Sequence, residues 1–433
     1  MKVSYSLGVI FLAFVSSALA DQTNEPPPWW HWHTQSTAIG QGYPAFDANY
    51  SGDHSLPAGG RLRETVSLDL IVGARLWNGA EVHADGLMWQ GFGVGDTLGL
   101  GGFSNGEAFK VGTKVPNVNL ARLFLRQTLG LGDAMETVAD GDFQMPGERP
   151  ASRLTFTVGK LSAKDTFDAN SYANDPRTQF LNWSLFANDA WDYPADALGF
   201  LPGATVEWTH AEWSIRGGFF TVVQRANGTA IDWSLDRAGS GTLEIEHRHR
   251  WCDHPGAVRL LGYWTRAKMG SYADALQRPD VDITATRDYR SRPGCGLNLE
   301  QELTANLGAF ARLGWNNGQA ETWMFTEVDA TATLGLSWKA TAWHRANDTI
   351  GLGGALNDLS NIHRAFLAAG GEGITVGDGK LHAGLEEIVE LYYDCALQPW
   401  LHLTGDFQAV NHPGYNRDRG PGYLFGVRLR ANF

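Results

Sequence analysis

Gly102-Phe103-Ser104-Asn105-Gly106 has the G-x-S-x-G spacing that can set a nucleophilic serine on a strained turn. That chemistry needs a buried strand before the turn and a helix after it. Here Gly91 to Gly101 is glycine-rich and reads as loop, and Glu107-Ala108-Phe109-Lys110 continues the same connection. Ser104 is therefore expected to be a loop residue, and no catalytic residue is assigned. His31 and His33 share a face at period two, as do His247 and His249. Zinc wants a third and usually a fourth ligand. None stands at a convincing spacing, and Cys252, Cys295 and Cys395 are isolated, so no metal and no cofactor is expected. Three cysteines form at most one bridge and leave one thiol over.

A second set of residues is charged and recurs at one parity. Arg75, Arg122, Arg126, Arg153, Arg216 and Arg312 fall on the polar side of alternating segments, with Glu81, Asp85, Glu300, Glu302, Glu327 and Asp329. On the lipid face of a membrane barrel such charges cost up to a few kcal/mol at mid-depth, so the wall that carries them must be wet. Opposed charges across a narrowing set up a transverse field and offer bidentate donors and acceptors. Sugar hydroxyls suit such partners, and the apolar faces of pyranose rings suit aromatic side chains. Trp89, Phe124 and Phe310 share the inward parity. The expected lining is Arg75, Glu81, Asp85, Trp89, Arg122, Phe124, Arg126, Glu300, Glu302, Arg312 and Asp329. The plainer alternative is an ion-pair network that merely fills the interior.

These residues need strands to position them. Val66, Leu68, Leu70, Val72, Ala74 and Leu76 share a face opposite Thr65, Ser67, Asp69, Gly73 and Arg75. Ala121, Leu123 and Leu125 alternate with Arg122, Phe124 and Arg126. Val328, Ala330, Ala332, Leu334 and Leu336 alternate with Glu327, Asp329, Thr331 and Thr333. Sixteen such strands are predicted, centred near residues 36, 71, 86, 124, 157, 206, 218, 245, 262, 300, 312, 333, 353, 392, 405 and 428. Short connections at Asn78-Gly79, Ala211-Glu212, 304–306 and 398–400 fall on one side. Long ones near 41–64, 92–116, 162–202, 268–295 and 358–385 fall on the other. An outer-membrane barrel segregates its loops in this way, and a sandwich has no reason to. The segment near 131–151 departs from the pattern, being long for an inner turn.

The segment 162–202 is too long for a casual loop. It carries Asp175, Arg177, Trp183, Trp191 and Asp192 in an aromatic-rich run, and its expected place is inside the lumen as a constriction. The first twenty residues read as a secretory signal, with Lys2, an apolar core from Leu7 to Val15, and Ala18-Leu19-Ala20 at the cleavage site. Residues 21–31, with three successive prolines, read as an extended stub, and 32–433 as the barrel. The last strand alternates Tyr423, Phe425, Val427, Leu429, Ala431 and Phe433 with Arg428, Arg430 and Asn432. A terminal Phe on such a strand resembles the signal recognised by the bacterial barrel-assembly machinery. Of the 433 residues, 43% are hydrophobic and 19% charged, which excludes a disordered chain. The net charge of −13 argues against nucleic acid as a partner.

The chain resembles the carbohydrate-selective porins of the OprB type. The resemblance rests on Ser67-Leu68-Asp69-Leu70 through Gly73-Ala74-Arg75-Leu76-Trp77, Gly102 through Lys110, and Leu120 through Thr128. It continues in Asp175 to Trp183, Ala190 to Asp196, Met269 to Tyr272, Leu297 to Leu303, Gly308 to Trp315 and Tyr415 to Pro421. It implies an all-β, 16-stranded antiparallel transmembrane barrel in the bacterial outer membrane. It also implies passive diffusion of mono- or small oligosaccharides to the periplasm, with outer-membrane lipids around the barrel. Two rivals from other classes are a barrel hydrolase using Ser104 or a carboxylate pair, and a secreted sugar-binding β-protein.

Overall fold

The computed structural model describes residues 28–109 and 112–433. The expected leader and most of the stub lie outside them, as does Lys110. Sixteen antiparallel strands form one closed barrel. They are β1 (Trp30–Tyr43), β2 (Arg61–Trp77), β3 (Ala80–Gly91), β4 (Thr113–Gly130), β5 (Arg153–Leu161), β6 (Leu201–His210), β7 (Trp213–Phe220) and β8 (Gly239–Trp251). The second half is β9 (His254–Met269), β10 (Asp288–Thr304), β11 (Leu307–Asn316), β12 (Ala330–Ala340), β13 (Arg345–Asp358), β14 (Glu386–Gln398), β15 (Leu401–Asn411) and β16 (Gly422–Asn432). Each strand pairs with its chain neighbours, and β1 closes on β16 from Gln35↔Asn432 to Gly42↔Phe425. Every expected strand centre falls inside one of these strands. Trp30 and His31, assigned to the stub, already belong to β1.

Alternation explains the closure. On β2, Leu68, Leu70, Val72 and Leu76 are exposed on the outer surface, whereas Ser67, Asp69 and Ile71 are buried inside. Leu334, Leu352, Val389, Leu391 and Val427 continue the apolar belt around the barrel. A wall of this kind satisfies its backbone between strands and turns only apolar side chains to lipid. No helix among the described residues is long and apolar enough to cross a membrane. Only some of the tight inner turns follow from residue type. Gly79 takes φ +73°, and Cys252 and Asp253 take φ +50° and +65° in a turn the residue types did not announce. All three cysteines are free.

Two local readings need correction. Alternation sets Ala121 on the lipid face, but a register shift between Asp85↔Arg122 and Gly86↔Leu120 leaves it unpaired and buried beside Arg122. One extra residue in a bulge reverses the parity of what precedes it. Alternation sets Val328 facing lipid too, yet β12 begins at Ala330 and Val328 is fully buried among the outer loops, with Glu327 and Asp329 beside it. The long inner segment is itself a hairpin, Met135–Val138 paired with Gly147–Pro150, that folds beneath the barrel mouth.

The lumen is filled by inward-folded connections held by carboxylates of the wall. Glu390 of β14 accepts the Leu181 and Asn182 N–H groups at 2.5 and 2.8 Å. Glu386 accepts those of Gly101, Gly102 and Gly414 at 2.8–3.1 Å. Glu300 accepts Ser171 N–H at 2.6 Å, and Glu244 accepts Asp168 N–H at 2.7 Å. Buried loop amides need partners, and these carboxylate oxygens supply them.

Candidate functional site

The 162–200 connection starts with a capping box, in which Asp165 accepts Ser162 N–H at 3.0 Å. Three residues on, Asp168 is buried among Arg312 Nε at 3.0 Å, Lys164 Nζ at 3.1 Å, Asn298 Nδ2 at 2.6 Å and Asn188 N–H at 2.9 Å. Burial alone would raise its pKa, but Arg312 and Lys164 outweigh it and hold the carboxyl well below the usual range. Arg312 also donates to the carbonyls of Leu185 at 2.9 Å and Ala173 at 2.7 Å, so the wall grips the loop at three points. Asn182 caps a single helical turn, Trp183–Phe186, through Ser184 N–H. Asp192 accepts four successive backbone N–H groups, Trp323 to Thr326, at 2.8–3.2 Å. This fixes Phe325 against Trp183 and Tyr193, with ring centroids 4.9 and 5.1 Å apart.

Residues 92–109 fold in against this loop. Trp183 N–H donates to Phe103 O at 2.7 Å and Gly106 N–H to Leu181 O at 2.8 Å, so the two loops are zipped together. A Cβ on Gly106 would collide with the Phe186 ring, so this close approach requires glycine. Ser104 Oγ donates to Gln41 Oε1 at 2.8 Å, and its carbonyl accepts from Gln41 and Gln408, each at 2.8 Å. Its hydroxyl is part of the seam, with Gln41 where an activating base would stand.

Between the loops and the wall lies a cavity of about 390 Å³, within the span of small-ligand sites. One side is aromatic: Phe103, Trp183, Phe186, Tyr193 and Phe325. The other is ionic. Arg122 forms a two-point pair with Asp165, 2.8 Å at each contact, and donates to Asp85 at 2.8 Å. Its guanidinium lies between the Phe143 and Phe200 rings, 4.6 and 4.7 Å from their centroids. Arg177 bonds Glu107 at 2.9 Å and contacts Asp69 at 3.0 Å. Burial would lower its pKa, but Glu107 and Asp69 outweigh this and keep it charged. Arg177 also lines a second cavity of about 320 Å³, with Tyr172, Glu302, Asp394 and Arg430. One guanidinium therefore borders both spaces.

The structure brings Arg122, Asp175, Arg177 and Trp183 to the larger cavity. Asp85 is fully buried behind Arg122. Trp89 packs with Leu87, Ala121 and Phe200, beside Phe109. Phe124 stacks on His83 at 5.2 Å in the barrel core. Glu81, Arg75 and Arg126 sit at the inner mouth, where Arg126 donates to Phe143 O at 2.7 Å and Arg75 to Pro28 O at 2.8 Å and to Pro146 O. Glu300 holds Ser171 and Arg259, and Glu302 meets His254 at 2.9 Å. Arg312, Trp191 and Asp192 are closed off from solvent and act as anchors. Asp329 is buried beneath the outer loops with Arg292 at 2.7 Å and His363 at 3.0 Å. His247 and His249 stack on each other, and His249 bonds Gln301 at 2.9 Å. Parity reasoning missed Asp165, Glu107, Phe143, Phe200 and Phe325. The Ser162-x-x-Asp165 spacing was a usable signal for the first, because it is a capping box.

A family model described as carbohydrate-selective porin, OprB family, matches residues 53–433. Porin AaxA of Chlamydia pneumoniae is 22% identical over 293 residues, covering 65% of this chain and 56% of that protein. Porin B of Pseudomonas aeruginosa is 25% identical over 199 residues, 41% of each. The chain thus spans about half the length of the curated relatives it matches. In fold, the high-pH structure of Pseudomonas putida OprB superposes with a TM-score of 0.70 at 16% identity, covering 93% of this chain and 94% of that one. The closed barrel with its lipid-facing belt is of the outer-membrane kind. By its matched length and its barrel, this chain belongs to the OprB family of carbohydrate-selective porins.

Proposed function

We propose that this protein is an outer-membrane pore through which small carbohydrates diffuse passively to the periplasm. The observation that carries this reading is the cavity between Trp183, Tyr193 and Phe325 on one side and Arg122, Asp165 and Arg177 on the other. A pyranose has apolar faces and a rim of hydroxyls. The aromatic wall suits the faces, and the fixed guanidinium and carboxylate groups suit the rim. A diffusion pathway requires contacts weak enough for the solute to leave again. Asp175, Glu107 and Arg177 complete the polar rim, and passage continues past Arg177 into the second cavity. A pore makes and breaks no bond, and the Ser104 hydroxyl is engaged by Gln41.

The test is osmotic swelling of liposomes carrying the purified, folded protein, with glucose and maltose as solutes. Faster swelling than in protein-free liposomes is expected, slowed in Trp183→Ala. No swelling with any sugar would overturn the reading. Ester turnover abolished by Ser104→Ala would favour the hydrolase instead.

A further inference from the structure

Asp140, on the inner hairpin, reaches the two histidines of β1. His31 Nδ1 lies 2.7 Å from Asp140 Oδ1, and His33 Nε2 lies 3.3 Å from the same oxygen. Period two puts both imidazoles on the inner face of β1, their rings at 88° with centroids 4.9 Å apart. One ligand atom from each of the three residues falls within 4.8 Å of the others. Ligand atoms around a tetrahedral zinc ion stand roughly 3.3 Å apart, given bonds of about 2.0–2.1 Å. The His33–Asp140 spacing already meets that value, and a small outward shift of Asp140 brings His31 to it.

A second observation concerns the other side of the His31 ring. His83 of β3 is fully buried, its ring centroid 5.7 Å from that of His31. Its Nε2 is 3.3 Å from Glu81 Oε2, while its Nδ1 has no hydrogen-bond partner. Nε2 of His31 is likewise buried without a partner, and Nε2 of His33, though 3.3 Å from Asp140 Oδ1, makes no hydrogen bond. A Cβ on Gly73 would collide with both His31 Nε2 and His83 Nδ1, so these two unsatisfied nitrogens face one small space above that glycine. Buried polar groups without partners are uncommon and call for a reason. A cation on His31 Nδ1 supplies one. It sets the His31 proton on Nε2, the nitrogen that faces His83, and Glu81 holds the far side of His83. Carboxylate and imidazole partners of this kind orient the ligands of many zinc sites.

We propose that His31, His33 and Asp140 form a divalent transition-metal site at the inner mouth of the barrel, with zinc the best-fitting ion. Two imidazoles and one carboxylate with an open position match zinc, while calcium and magnesium prefer all-oxygen shells. The site joins the barrel wall to the inner hairpin. That hairpin places Phe143 against Arg122 and lines the larger cavity with Asp142 and Phe143. Occupancy therefore pins this part of the lining to β1. This consequence rests on the pore reading, whereas metal binding does not.

The experiment titrates cobalt(II), then zinc, into the folded full-length protein in detergent. The expected result is one cobalt per chain, with the visible bands of a four- or five-coordinate ion. Zinc should displace it, and excess calcium should not. Asp140→Asn and His33→Ala should each weaken binding at least tenfold while retaining heat-modifiable mobility. No saturable cobalt binding, or unchanged binding in both variants, overturns the site. In planar bilayers, zinc should alter the current of the wild type and leave Asp140→Asn unaffected. Zinc bound without any change in current overturns the pinning. A protein that binds cobalt but carries no current refutes the pore and leaves the site standing.

Discussion

Asp192→Asn alters one terminal atom beneath the aromatic wall and removes its charge. In the native loop Oδ2 accepts the Trp323 and Met324 N–H groups at 2.8 and 2.9 Å, and Oδ1 accepts those of Phe325 and Thr326 at 2.9 and 3.2 Å. Asparagine keeps one acceptor oxygen and turns its amide NH₂ toward two donors. Two charge-assisted bonds are lost, at about 1.5–3 kcal/mol each, so roughly 3–6 kcal/mol favours release of the turn. At about 1.4 kcal/mol per factor of ten, the ratio of docked to released turn falls by roughly two to four powers of ten. Released, Phe325 no longer stands against Trp183 and Tyr193. The strands are untouched, because these four bonds join loop to loop. The variant is expected to fold into a heat-modifiable barrel with a noisier open channel. The maltose concentration giving half block should rise about tenfold or more. The assay is current-noise analysis in planar bilayers under maltose titration. Native noise together with native block would refute the reasoning.

Other consequences follow from single residues. Arg177→Gln leaves Asp69 and Glu107 without their shared cation; the reversal potential in a salt gradient should move toward cation preference. Leu334→Arg puts a charge on an exposed position of the lipid belt, costing about 2–4 kcal/mol near mid-depth, readable as a lower urea midpoint in vesicles. Asp189, inside the 162–200 loop, is pushed up to about 8, chiefly by burial, with Glu386 and Asp192 adding to it and the Ser184 hydroxyl opposing. Because its folded pKa exceeds its unfolded value, ionisation opposes the folded loop. Loop stability should therefore fall as pH rises from about 4 to about 8 and level off above. Hydrogen exchange of Ser184–Trp191 measures this, and Asp189→Asn should flatten the profile.

The strands were legible because one physical demand repeats sixteen times: lipid on one side, water and packed loops on the other. Period two survives in any segment that meets both. It fails at Ala121, where a bulge inserts one residue, because an apolar Ala there continues the alternation of Leu123 and Leu125 across the break. It also fails at Val328, where alternation runs past the strand into a loop by chance. Asp175, Arg177 and Trp183 were legible as loop residues from length and aromatic density. Their partners were not, because Arg177 meets Asp69 and Glu107 only through the fold. Asp140 reaching His31 is the same kind of event, and the unusual length of the inner connection was its one visible trace. Arg312 and Asp329 carry the inward parity, yet the folded-in loops bury them. Parity reports which way a side chain points, and loop packing decides whether water reaches it.

The central claim is that a carbohydrate passes between the aromatic and ionic walls of this lumen. Single-channel current through the wild-type protein, titrated with a neutral sugar such as maltose, tests it most directly. A saturable, reversible drop in current is expected, weakened by Trp183→Ala and by Arg122→Leu. An open pore whose current ignores every mono- and disaccharide tried would contradict the account.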